Sequence, residues 1–196
     1  MKITEKLICL FCFLIITAAC AIAVPAQSKP DEKKPTAGNP TLAVEESLYM
    51  WKRAKKWTLE YVDAVPENAV NFKPTPEVRS FAEQMLHLAF WNYGICEPLA
   101  SKPSPYGTKQ ETIEKRDDLK NKAALRKFVE GSYDYVLAAI NNLDDAKLAE
   151  QVSFFGRKAT RQLVLTIALD HQTHHRGQTT LYLRMKGVTP PPEPQS

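Results

Sequence analysis

The chain has 196 residues, 44% hydrophobic and 24% charged, enough apolar material for one packed domain and too much for wholesale disorder. Its 26 basic and 22 acidic residues leave a net charge of +4 and are interspersed without a long basic run, so composition offers no basis for nucleic-acid binding. A disulfide scaffold is excluded as well: of four cysteines, Cys9, Cys12 and Cys20 lie in the leader region, and Cys96 alone cannot form an internal bridge.

The chain opens with Lys2 and Lys6, followed by an uncharged run from Leu7 to Val24 (LICLFCFLIITAACAIAV). A basic start, an apolar middle and small residues after it predict a secretory signal over 1–26, cleaved after Ala23 or after Ala26. Thr17-Ala18-Ala19-Cys20 offers a second reading, a lipoprotein anchored at Cys20, although Thr17 departs from the aliphatic residue usual there. An uncleaved anchor helix is a third, since the run is just long enough to span a bilayer. All three export the domain to a periplasmic or secreted location, with membrane contact only through the leader or a lipid on Cys20. Residues 27–40 (QSKPDEKKPTAGNP) are polar and proline-rich and read as a tether.

Fourteen prolines punctuate the chain, and after the tether they leave 41–65, 77–97 and 106–189 free of them. Proline inside a helix costs roughly 3 kcal/mol, so these stretches are where helices belong. The first carries Val44, Leu48, Trp51, Ala54, Tyr61 and Val65 at three- and four-residue steps, a helix over 41–64. The second, 77–99, has Phe81, Met85, Leu88, Ile95 and Leu99 on one face and Leu86, Phe90 and Trp91 elsewhere, the pattern of a helix buried at the centre of a bundle. Asp117-Asp118 caps a third over 118–143, with the stripe Leu125, Val129, Ser132, Val136, Ala139 and Leu143. Thr160 opens a fourth over 160–186, stopped by Gly187 and Pro190. Between these two, Val152–Phe155 is the one short piece with extended character. The expected domain, 41–192, is an all-α antiparallel four-helix bundle, followed by a tail over 193–196. Trp51 and Trp57 read as helix-packing residues, and no phosphate-binding glycine loop, Gly-x-Ser-x-Gly or Cys-x-x-Cys occurs.

Three of the four histidines fall in Asp170-His171-Gln172-Thr173-His174-His175-Arg176-Gly177-Gln178. On a helix His171 and His175 differ by about 40° in direction and about 6 Å in rise, a spacing at which two imidazoles grip one ion; His171 and His174, about 60° apart, also can. The apolar pattern does not choose between them. Val164, Ala168, His171, His175 and Tyr182 make one stripe, and Leu163, Ile167, His174, Leu181 and Met185 another. His87 sits in the most apolar segment, Met85-Leu86-His87-Leu88-Ala89-Phe90-Trp91, where a neutral imidazole needs a partner for both nitrogens. Three histidines from two helices leave positions open for water or substrate, the pattern of a catalytic site; the alternatives are a histidine bonded in the core and a polar helix face. Cys96 is a poor ligand, about 13.5 Å further along the same helix on its opposite face, and reads as a packed thiol. Glu83, four residues before His87, is the candidate general base or His87 orienter, or else a surface charge.

At His171-x-x-His174-His175-Arg176-Gly177-Gln178 the sequence resembles the DinB-like family of four-helix-bundle metalloproteins. The resemblance spans roughly 41–192 and extends to Val65-Pro66-Glu67, Phe72-Lys73-Pro74, Ser80 ahead of His87, and Leu183-Arg184 before Gly187 and Pro190-Pro191. It implies one ligand on the second helix and an i, i+4 pair on the last, which match His87, His171 and His175 and leave His174 as a neighbour. It further implies a divalent ion, zinc or nickel, and a metal-dependent hydrolase or thiol-type transferase acting on a small molecule; export puts a cytosolic thiol cofactor in doubt. The alternatives are a periplasmic bundle that binds metal or a small ligand without turnover, and a purely structural bundle. A homodimer is among the expected assemblies. Arg176 and Gln178 match the family motif, with Arg176 expected at the bundle surface.

Overall fold

The structure is a computed structural model that describes residues 42–107 and 110–194. The leader, the tether and the cleavage and lipidation readings lie outside the described residues. The elements in chain order are α1 (Leu42–Ala64), α2 (Phe81–Cys96), α3 (Gln110–Glu114), α4 (Lys122–Asn141), α5 (Asp145–Ala149), β1 (Gln151–Phe154), β2 (Arg157–Thr160) and α6 (Arg161–Met185). The four long helices form the expected all-α bundle, α1 and α2 each packing against both α4 and α6.

Each long helix buries the stripe its sequence carries. Trp51, Ala54 and Tyr61 point inward from α1, with Val65 buried just after it, and Leu125, Val129, Ser132, Val136 and Ala139 from α4. All of α2 is buried except Glu83, Trp91 and Gly94, as its all-round apolar sequence requires. Cross-links between helices fix their directions. Arg126 pairs with Asp63 and Lys55 with Asp134, so α1 and α4 run antiparallel. Gln84 meets Tyr182 and His87 meets His171, so α2 and α6 are antiparallel too. Lys120, just before α4, reaches Glu83, and Asn92 bonds Ser132, so α2 and α4 run the same way. The long connection over 97–121 makes that crossover feasible.

Helix ends follow local chemistry. Ser80 and Glu83 form a reciprocal capping box, so α2 begins at Phe81 rather than at 77. Asn121, accepting from the Ala124 amide, caps α4; Asp117–Leu119 is a separate 3-10 turn, which moves the start from 118 to 122. Thr160 caps α6 as expected, through its hydroxyl and the Leu163 amide. At the far end Gly187, at φ +72°, lets its own amide and that of Val188 return to Arg184 and Leu183. The extended piece expected at 152–155 is found as β1, Gln151–Phe154, with Phe155 in the turn that follows; the hairpin register pairs Gln151 with Thr160 and Phe154 with Arg157. The short α3 and α5 add to the expected elements. Among the described residues no helix is long and apolar enough to cross a membrane.

Candidate metal centre

The antiparallel packing of α2 on α6 brings His87 against His171 and His175. The ring centroids lie 4.2 Å apart for His87 and His175, 4.5 Å for His171 and His175, and 5.2 Å for His87 and His171. One ring nitrogen from each falls within 4.8 Å of the other two, the one such cluster of histidine, cysteine or carboxylate groups among the described residues. His87 and His175 are buried and His171 half-buried. The choice between stripes on α6 is made by packing: Val164, Ala168 and Tyr182 are buried, whereas Leu163, Leu181 and Met185 are exposed. His174 is exposed and outside the cluster, its Nε2 accepting from Gln178 at 2.7 Å.

Two of the three rings are held by side chains that the sequence alone does not single out. The Glu114 carboxylate accepts from Nδ1–H of His87 at 2.7 Å and from Nε–H of Arg79 at 3.0 Å. The Gln84 carbonyl accepts from Nδ1–H of His175 at 2.8 Å, and its amide donates to Gln178 at 2.5 Å. A carboxylate and an amide oxygen can only accept, so both imidazoles carry their proton on Nδ1 and keep Nε2 as the basic nitrogen. His171 differs: its Nδ1 is buried and has no hydrogen-bond partner.

Burial, and then the positive charge each ring would present to the others, hold His171 down at about 4 and His175 at about 3. Both are neutral at pH 7, the form that offers lone pairs to a cation. Three imidazoles from two helices, two of them fixed by outer hydrogen bonds, offer a donor set that fits a divalent ion. They equally leave its remaining positions to an outside ligand.

Two expectations need correction. Glu83 is neither base nor orienter: it caps α2 and pairs with Lys73 at 2.9 Å and Lys120 at 3.3 Å, and Glu114 takes the position beside His87. Arg176 is not at the surface. It is 4% exposed, lies 4.3 Å over the Trp57 ring, and donates to Gln172 at 2.7 Å and Thr58 at 3.2 Å. The Tyr133 hydroxyl ties those same two acceptors together, so polar groups from three helices take the place of a counter-charge. Gln178, which matches the family motif, links Gln84 to His174. Cys96, as expected, is a buried thiol, its ionisation pushed up by burial alone.

A family model described as "DinB superfamily" matches residues 50–179, which contain all three histidines. The chain is 26% identical over 136 residues to "Uncharacterized protein YjoA" of Bacillus subtilis (strain 168), covering 67% of this chain and 83% of that one. It is 34% identical over 62 residues to "Uncharacterized protein YrdA" of the same organism, 32% of this chain and 37% of that one. Among solved structures it superposes on a DinB-like protein from Bacillus cereus ATCC 10987 with a TM-score of 0.66 at 21% identity, over 76% of this chain and 95% of that one. YjoA from Bacillus subtilis gives 0.59 at 18% identity, over 77% and 99%. At these identities the two structures speak for the fold.

Proposed function

The chain belongs to the DinB superfamily, and on that premise we propose that it is an exported protein whose His87, His171 and His175 hold one divalent ion, zinc or nickel, for hydrolysis or thiol-type transfer on a small molecule. The observation that carries the reading is the donor set itself. Three imidazoles converge in a bundle interior, those of His171 and His175 kept neutral by burial, and the buried Nδ1 of His171 has no hydrogen-bond partner.

When bound, a divalent ion would supply Lewis acidity to an oxygen or sulfur ligand at neutral pH. The chain's own residues prepare for that. Glu114 orients the His87 ring and fixes its tautomer. Gln84 does the same for His175 without adding charge, and is itself held by Gln178. The Tyr182 hydroxyl donates to the carbonyl of Arg79, which ties α6 to the start of α2 beside the cluster. Export rests on the leader over 1–26.

Elemental analysis of the mature domain, purified without a histidine tag, tests the reading. The expected result is one zinc or nickel ion per chain, removable by chelation and restored by the metal alone. Protein that stays metal-free after reconstitution with either ion overturns it.

A further inference from the structure

Glu83, His87 and Trp91 follow one another at four-residue steps and lie along one side of α2. Glu83 is consumed at the cap and His87 in the cluster. Trp91, next along, is the one large side chain of α2 that is not buried. Its ring stands 6.1 Å from His171 and 6.3 Å from His87, edge-on to each. On another side, 5.9 Å away, is the ring of Phe155.

Phe155 sits where its backbone does not favour it. It shares the two-residue turn between β1 and β2 with Gly156, and both have positive φ, 46° and 76°. Two successive positive values mark the type I′ hairpin turn, whose first residue is normally Asn, Asp or Gly. Phenylalanine there is strained, and its side chain is 68% exposed, so core burial does not offset the strain. The ring meets Phe154 in its own hairpin, at 4.6 Å, and Trp91 across on α2. The hairpin runs directly into α6 through Thr160, so the tip is carried by the helix that bears His171 and His175.

We propose that Trp91 and Phe155 form an apolar subsite at the edge of the three-histidine centre, taking the aromatic ring of a small-molecule ligand whose polar end engages that centre. The polar half rests on the metal-binding reading above; the apolar half rests on the two rings. Aromatic pairs favour centroid separations of about 4.5–7 Å, and Trp91 stands 6.1 and 6.3 Å from the two imidazoles, so a ligand ring packed on the side of Trp91 that faces them lies a short linker from the centre. The ligand class is therefore an aryl compound with its metal-seeking group one or two bonds from the ring.

The experiment compares benzohydroxamate with acetohydroxamate, which share a chelating head, on zinc-loaded protein by calorimetry. The phenyl compound is expected to bind about tenfold more tightly through partial burial of its ring. Phe155→Asn, which places a favoured residue in the turn, should cut that preference to about twofold while leaving acetohydroxamate affinity and zinc content unchanged, and Trp91→Leu should cut the preference as far. The Asn variant should melt no lower than the parent. A preference that survives either substitution overturns the subsite, and so does an Asn variant that melts lower and keeps the preference, since Phe155 would then be structural. If the protein holds neither zinc nor nickel, the metal reading fails on its own and the apolar half is read without metal. Benzamide, but not acetamide, should then shift the Trp91 indole N–H resonance, assigned by its loss in Trp91→Leu, and the shift should vanish in Phe155→Asn. No benzamide shift in the parent overturns the proposal.

Discussion

Replacing Glu114 by alanine removes the carboxylate that bonds Nδ1–H of His87 at 2.7 Å and Nε–H of Arg79 at 3.0 Å. The bond to His87 links a charged acceptor to a ring that is itself buried, a class of interaction worth about 1.5–3 kcal/mol. With an ion bound, part of that stabilisation would reach it, because the carboxylate fixes the ring's tautomer and orients Nε2 as a ligand. A loss of about 10- to 100-fold in zinc affinity follows, equal to about 1.4–2.7 kcal/mol. Glu114→Gln keeps an acceptor without the charge and should fall between parent and alanine. Competition against a chromogenic chelator measures the affinities, and far-ultraviolet circular dichroism checks that the helices persist. If the alanine variant binds zinc as tightly as the parent, Glu114 does not orient a ligand.

Arg176→Met should cost about 2–4 kcal/mol in urea denaturation, since it removes two buried hydrogen bonds and the stack on Trp57; a change below about 0.5 kcal/mol would return Arg176 to the status of a surface residue. Ser80→Ala should cost about 1 kcal/mol through loss of the α2 cap, with zinc affinity unchanged; a large loss of zinc would place the Ser80–Glu83 pair at the site after all. In metal-free protein His171 and His175 titrate near 4 and 3, below the ordinary 6.5. The unfolded chain therefore takes up protons that the folded one refuses. The stability these rings contribute is complete above about pH 6.5 and is lost as pH falls toward 4 and 3. Thermal melts of the parent and of His171→Ala should show the shallower acid dependence in the variant; equal slopes would mean that His171 does not titrate low.

Prolines and apolar spacing make the four helices legible in the sequence, because both act within a few residues. The caps at Thr160 and Gly187 are legible for the same reason. What is not legible depends on contacts far apart in the chain. Glu114 lies 27 residues beyond His87, on a five-residue helix with no apolar stripe of its own to announce it. Gln84 carries more of a signal: a polar residue in a nearly all-apolar helix, three positions before His87, is a sign that it bonds something buried. Charge is a misleading guide to Arg176, whose burial is made tolerable by Thr58, Tyr133 and Gln172 from three separate helices. Periodicity cannot separate His174 from His175, since the two α6 stripes have equal apolar character and only the position of α2 distinguishes them.

Zinc content of four proteins decides whether the three histidines act together: the untagged parent, His171→Ala, His175→Ala and His174→Ala, each reconstituted and dialysed alike. The parent and the His174 variant should retain one ion per chain, and the other two should retain almost none. A His174 variant that loses the ion while the His171 variant keeps it would contradict the assignment of His87, His171 and His175 as the centre.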